Sequence, residues 1–307
     1  MRKISVYGAG RVGESTAQIL ANQELCQEVV LIDIAEGMAR GTALDIQESA
    51  PLFGFDVKVS GDVDSAAVVD SDLVIITAGL PRKPGMSRSD VLDTNAKIVS
   101  GIIDNVMEYA PDAMILLVTN PVDVLTYLAW KKTGWSRNRI FGLSGVLDAA
   151  RMASFIAMET GYSSKDITTM VLGGHGDSMV PMPRFTTING IPIEYLMDKE
   201  TIARIEERTR NGGAEILALK KTSSANDSPA AAVAVMVDAI RHNRRRILPC
   251  VAILDGEYGQ RDVAVGIPAV LSGQGLESVV ELPMTADEAR LFEGSVAQVR
   301  ADLAHLF

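Results

Sequence analysis

Cysteine is nearly absent: Cys26 and Cys250 are the only two in 307 residues, far apart and without paired spacing. That excludes a disulfide framework and a cysteine-built zinc site, and it suits a reducing compartment. Long apolar runs are lacking as well. None approaches the roughly 18 residues needed to cross a bilayer, and no charged-then-apolar leader precedes the first apolar stretch. A cytoplasmic protein with no membrane partner is therefore expected. Positive charge is scarce, with 29 Lys and Arg against 39 Asp and Glu and a net charge of −10. A balance this acidic argues against nucleic acid as the main partner, yet leaves room for a small anionic substrate held by a few arginines. Internal repeats, low-complexity tracts and long linkers are missing too. Histidine is rare, with three in all.

What is present is an alternating pattern in a chain long enough for a large core and two domains. Four short apolar runs recur in the first half, at Ile4–Tyr7, Val29–Ile32, Leu73–Ala78 and Met114–Val118. They are near-continuous, as strands of a parallel sheet covered on both faces should be. Helical periodicity fills the gaps, with Val12, Thr16, Ile19 and Leu20 on one face and Ile98, Ile102 and Val106 on another. This predicts an α/β fold whose first part is a doubly wound parallel sheet. The rhythm changes after about residue 144, which divides the chain into domains at 1–143 and 144–307, the second of α+β type. There the pattern predicts a helix over 146–160 and a strand over 167–172. Helices follow at 197–211, 213–221 and 229–241, strands at 247–254 and 262–271, and a closing helix striped by Ala289, Phe292, Val296, Val299 and Leu303.

Gly8-Ala9-Gly10-Arg11-Val12-Gly13 follows the first strand and opens the first helix. Gly8 permits a tight turn, Gly10 lets backbone approach a pyrophosphate, and Gly13 allows close helix–strand packing. The helix N-terminus then offers unpaired N–H groups to phosphate charge. Asp33 closes the second strand 20 residues beyond Gly13. An acid there accepts from ribose hydroxyls and repels a 2′-phosphate, which favours NAD over NADP. A plain glycine turn with a strand-end aspartate is the other reading.

The three histidines differ in setting. His242 lies in a basic run, Arg241–Arg246, and His305 is two residues from the end, whereas His175 stands in Gly173-Gly174-His175-Gly176-Asp177. Glycine neighbours let a ligand approach closely, and an imidazole titrates where a proton must move near neutral pH. A histidine bonded to backbone in a tight turn is the plainer alternative. Asp148 and Arg151, one turn apart at a helix start, can face one cleft. A carboxylate beside His175 would fix its tautomer, and a guanidinium matches a substrate carboxylate in two hydrogen bonds. An i,i+3 surface ion pair would look the same. The loop Leu80–Arg88 carries Arg82, Lys83 and Arg88 from the carboxyl edge of the sheet, where such folds bind ligands. Asn120, before Pro121, faces that edge. A solvated basic loop and a turn are the bland readings of these two.

Taken together, in this order and spacing, these pieces resemble the lactate and malate dehydrogenase family over essentially the whole chain. The likeness is greatest to its bacterial malate dehydrogenases of lactate-dehydrogenase-like type. The resemblance implies a Rossmann NAD-binding domain, reversible oxidation of (S)-malate to oxaloacetate as in the tricarboxylic acid cycle, and no metal. It implies His175 as proton acceptor, Asp148 as its orienter and Arg151 as carboxylate clamp. Arg88 would polarise the reacting oxygen from a closing loop, and Asn120 would position substrate. Cofactor contacts would come from Gly8, Gly10, Arg11, Val12, Gly13, Asp33, Asn95, Val118 and Asn120, and assembly would give a homodimer or homotetramer. Arg82 stands where lactate dehydrogenases of the family carry glutamine, so a second substrate carboxylate is implied. One departure is Asn226-Asp227, where relatives often carry aromatic residues. The rival readings are a lactate or other 2-hydroxyacid dehydrogenase, and a catalytically silent NAD-binding sensor.

Overall fold

The computed structural model describes residues 1–80, 88–221 and 223–307, apart from the side chains of Glu36 and Arg88. Six parallel strands form its first half: β1 (Lys3–Tyr7), β2 (Glu28–Ile32), β3 (Lys58–Asp62), β4 (Leu73–Ile76), β5 (Met114–Leu117) and β6 (Ile140–Gly142). Their order across the sheet is β3-β2-β1-β4-β5-β6. The connecting helices are α1 (Arg11–Asn22), α2 (Glu36–Glu48), the single turn α3 (Ala50–Phe53), α4 (Arg88–Tyr109) and α5 (Val122–Thr133). Strand order reverses between β1 and β4, so the carboxyl ends of those two strands open the crevice where doubly wound sheets take ligands.

The four apolar runs of the first half all form central strands of this sheet, buried on both faces. The pattern missed β3 and β6. β3 reads KVSGD, an edge strand too polar to show a run; β6 has only three residues. In α4 the buried face runs through Leu92, Val99, Ile102, Ile103 and Val106. Of the three residues the sequence pattern placed on it, Ile102 and Val106 are buried and Ile98 is turned outward.

The second half contributes α6 (Gly145–Thr160), the short strands β7 (Ile167–Thr168), β8 (Val171–Leu172), β9 (Val180–Pro181), β10 (Thr187–Ile188) and β11 (Ile191–Pro192), then α7 (Lys199–Lys220) and α8 (Asp227–Arg241). β12 (Arg246–Asp255), β13 (Arg261–Ser272), β14 (Gly275–Val279) and α9 (Ala286–Leu306) complete it. β12 lies antiparallel on β6 through Val251 and Gly142, so one nine-stranded sheet runs through both halves. A single apolar cluster joins the two, with Phe141, Leu116 and Ile75 at its centre and Phe292, Val296, Val299 and Leu303 of α9 against it. Buried area of this kind stabilises at roughly 25 cal/mol per Å².

Two elements differ from the sequence pattern for local reasons. The strand expected over 167–172 is split between two sheets. Thr169 turns inward to donate its hydroxyl to the Ala149 carbonyl at 2.7 Å, and Met170 accepts from the Met182 N–H at 2.9 Å. The two helices expected over 197–221 are one, and Gly212-Gly213 sits inside it. A Cβ at Gly212 would stand 3.2 Å from Arg151 Cδ and 3.7 Å from the Phe155 ring. The glycines mark where α7 lies close against α6, at the cost of some helix propensity, and they sit against a residue of the candidate site.

Candidate active site

The glycine turn after β1 is built as close packing requires. Gly8 adopts φ +100°, and a Cβ on it would stand 2.7 Å from the Ala78 backbone nitrogen. At Gly13 a Cβ would come within 1.8 Å of the Gly8 carbonyl oxygen, whereas at Gly10 it would meet nothing within 4 Å. Gly8 and Gly13 are thus held by the protein's own backbone, while Gly10 leaves open space at the mouth of the turn. Gly10 is also the N-cap of α1, and no side chain caps the helix there. Its first N–H groups, those of Arg11, Val12 and Gly13, have no partner within the helix. This cradle fits a pyrophosphate.

Asp33 serves this turn directly. Its Oδ2 accepts the Ala9 N–H at 2.8 Å and its Oδ1 the Ala35 N–H at 2.9 Å, so the acid at the end of β2 fixes the shape of the turn after β1. Thr77, which sequence reasoning passed over, closes the turn from β4 by donating its hydroxyl to the carbonyls of Tyr7 and Gly8 at 3.0 and 3.1 Å. An isolated threonine at a strand end gives no pattern by which to find it. Asn95 is buried on α4 and spends its amide on backbone: it accepts the Leu80 N–H at 2.7 Å and donates to the Asn120 carbonyl at 2.8 Å. It ties the end of β4 to the end of β5. Val118 follows β5 half-buried, and Asn120 is exposed beyond it before a cis bond to Pro121. The basic loop carrying Arg82 and Lys83 lies outside the described residues, as does the side chain of Arg88, whose backbone begins α4.

The second cluster gathers from three elements. α6 starts where β6 ends, at the carboxyl edge of the sheet, and brings Asp148 and Arg151 to one side. Asp148 is 1% exposed. Its Oδ2 meets His175 Nδ1 at 2.8 Å, and its Oδ1 accepts from Arg151 Nη1 at 3.0 Å. The His175 turn joins β8 to β9, with Gly173 at φ +85° and Gly176 at φ +140°. Gly173 bridges Gly266 of β13, and the Gly174 N–H donates to Ser295 Oγ of α9 at 2.8 Å. The His175 N–H donates to Asp123 of α5 at 2.8 Å. Burial works against the imidazolium, but the Asp148 carboxylate favours it by charge and hydrogen bond. His175 is thereby held above its ordinary value of 6.5, with Arg151 opposing and Asp123 assisting. With Nδ1 engaged by a carboxylate, Nε2 is the nitrogen left to exchange a proton.

Asn226 and Asp227 form a polar tie to α1. Asn226 donates to Ser15 Oγ of α1 at 3.3 Å and accepts from Lys220 at 2.9 Å. Arg11 donates to Ser223 Oγ at 3.2 Å, so the junction of α7 and α8 is fastened to the start of the cofactor-side helix. Among the described residues no group of three or more His, Cys, Asp or Glu side chains is placed to hold a metal ion. No described helix is long and apolar enough to cross a membrane.

Comparison with known proteins gives matches over nearly the whole chain. Residues 2–142 match the model of the lactate/malate dehydrogenase NAD binding domain, and residues 145–307 that of the alpha/beta C-terminal domain of the same family. A malate dehydrogenase of Thioalkalivibrio sulfidiphilus is 63% identical over 306 residues, covering 100% of both chains. The solved malate dehydrogenase of Salinibacter ruber superposes with a TM-score of 0.95 at 44% identity, covering 99% of this chain and 97% of that one. A lactate dehydrogenase of Cryptosporidium parvum, solved with lactic acid and NAD, superposes equally well, at 0.95 and 36% identity over 99% and 98% of the two chains. Overall shape therefore does not separate the two substrates.

Proposed function

The chain belongs to the lactate/malate dehydrogenase family, and from that premise we propose that it catalyses the reversible NAD-dependent oxidation of (S)-malate to oxaloacetate with His175 as proton acceptor. The observation that carries the chemistry is the chain Arg151–Asp148–His175 at the carboxyl edge of the sheet. The NAD-binding half spans 1–143 and the substrate half 144–307, a division supported by the limits of the two family models.

The Gly8–Gly13 turn and Asp33 would hold NAD, which when bound would supply the hydride acceptor. The remaining work falls to side chains. His175 takes the proton of the C2 hydroxyl at Nε2, and Asp148 stabilises the imidazolium formed and holds the ring in the productive tautomer. Arg151 grips the C1 carboxylate; its Nε is buried without a hydrogen-bond partner of its own among the described residues, and Nη1 alone is shared with Asp148. Arg88 polarises the reacting oxygen. Asn120 positions the substrate from the end of β5, and Asn95 with Val118 shapes the cofactor side of the same cleft. In the reverse direction the imidazolium returns the proton to oxaloacetate.

Arg82 decides between malate and lactate. A guanidinium left without a carboxylate partner in a site shut off from water costs roughly 2–5 kcal/mol. That corresponds to a preference on the order of thirty- to several-thousand-fold, and screening by water favours the lower half. On this reading the protein acts in the cytoplasm as a homodimer or homotetramer. His175→Asn tests the mechanism. A positioned base contributes about 10²–10⁴-fold, so turnover should fall by at least about a hundredfold while NADH binding is kept; a variant still active within tenfold of wild type refutes the assignment.

A further inference from the structure

Among the described residues only two carboxylates are buried, Asp148 and Asp123, and the proposed reaction uses only the first. Asp123 lies in the first turn of α5, three residues beyond Asn120 and 5% exposed. Its Oδ2 accepts the backbone N–H of His175 at 2.8 Å, while its Oδ1 accepts no hydrogen bond among the described residues. Burial pushes this carboxyl up to about 6; the His175 N–H and imidazole pull it back, and Asp148 pushes the same way as burial. An acid held so is costly to the fold. A neutral amide oxygen would accept the same N–H, so the hydrogen bond alone does not account for a carboxylate here. The charge itself needs a purpose, and the opposite charge that bears on it is that of the His175 imidazolium.

We propose that Asp123 is a positioning residue for His175: it anchors the backbone end of the residue whose ring Asp148 anchors, and its negative charge joins that of Asp148 in stabilising the imidazolium. The turn is then mounted from three helices, by Asp123 of α5, Asp148 of α6 and Ser295 of α9. The charged groups bearing on Asp123 are His175, from the β8–β9 turn, and Asp148, from α6; Arg151 bears on His175 with the opposite sign. The inference rests on His175 being the proton acceptor.

The test is the pH profile of kcat/KM for malate oxidation in Asp123→Asn and Asp123→Ala. Malate oxidation needs the neutral imidazole, so activity rises as pH climbs through the His175 value. Removing a nearby negative charge weakens the imidazolium. The acidic limb should therefore move to lower pH in both variants, by about half a unit, since Asp123 bears on the imidazole less strongly than Asp148 does. Asp123→Ala also loses the acceptor, and its kcat should fall further, on the order of tenfold, with the KM for NAD unchanged. A limb that coincides with wild type in the variants, or equal losses in both together with a raised KM for NAD, overturns the proposal in favour of a purely structural acid. His175→Asn measured alongside keeps the two readings apart. An active His175→Asn overturns the base itself, whereas an inactive one beside unmoved Asp123 profiles overturns only the role of Asp123.

Discussion

Asp148→Asn removes one charge from the centre of the cluster and leaves its shape nearly unchanged, so its consequences can be worked through. Asp148 touches the imidazole at 2.8 Å and the Arg151 guanidinium at 3.0 Å and is 1% exposed. Two unit charges about 4 Å apart interact by about 4 kcal/mol at an effective dielectric near 20. The amide oxygen keeps part of the contact, so about 2–3 kcal/mol of imidazolium stabilisation is lost, or roughly two pKa units. In wild type the His175 value lies above 6.5; malate oxidation should rise with pH through that value and then level. In the variant the acidic limb should move to lower pH. The plateau should fall as well, because an amide donating to Nδ1 puts the imidazole proton on Nε2, where it blocks acceptance. Together these predict a kcat loss of about 10³–10⁴-fold. Arg151, only 12% exposed, loses its carboxylate partner, and breaking such a pair costs up to about 3–5 kcal/mol, so Tm should fall too. Steady-state kcat across pH, NADH binding by fluorescence and thermal melting on one preparation separate these effects. A folded variant with kcat within tenfold of wild type and an unmoved limb would show that Asp148 neither orients nor charges the base.

Gly13→Ala should cost more than the roughly 1–3 kcal/mol usual for overpacking, because its Cβ would fall 1.8 Å from the Gly8 carbonyl; Tm should drop by several degrees and NADH binding be lost. Gly10→Ala, whose Cβ meets open space, should melt as wild type does yet bind NADH weakly, and equal behaviour of the two glycine variants in melting and fluorescence titration would contradict the cradle. Asp33→Ala removes the acceptor for two backbone N–H groups and the repulsion of a 2′-phosphate. The KM for NAD should rise about tenfold or more and discrimination against NADP should shrink; an unchanged KM ratio would count against the ribose role. Arg82→Gln should move substrate preference from oxaloacetate toward pyruvate by about thirtyfold or more, read as the ratio of the two kcat/KM values.

Much of this architecture was legible because it rests on local, repetitive signals. The parallel strands are continuous apolar runs, and the glycine turn with Asp33 has a fixed spacing between strand and helix. The His175, Asp148 and Arg151 cluster was legible for a different reason: residue types whose chemistry is complementary stand in glycine-rich or helix-start settings. What escaped was tertiary in origin. Thr77 acts by tying backbone segments that are distant in sequence, and no pattern in the residues around it says so; Asn95, expected only as a cofactor contact, makes a tie of the same kind between the ends of β4 and β5. Asp123 looks like an ordinary acid in the first turn of a helix, and only the fold brings the His175 N–H to it. Gly212-Gly213 reads as a helix break, yet α7 runs through it, since α6 packs against the glycines. The 167–172 run reads as one strand, and the inward turn of Thr169 divides it.

NADH consumption by the wild-type protein, with oxaloacetate and pyruvate supplied side by side, tests the central claim most directly. A kcat/KM for oxaloacetate at least about thirtyfold above that for pyruvate is the predicted result. Preference for pyruvate would contradict the substrate assignment while leaving the His175 chemistry intact, and inactivity with both substrates in a protein that still binds NADH would contradict the enzyme assignment itself.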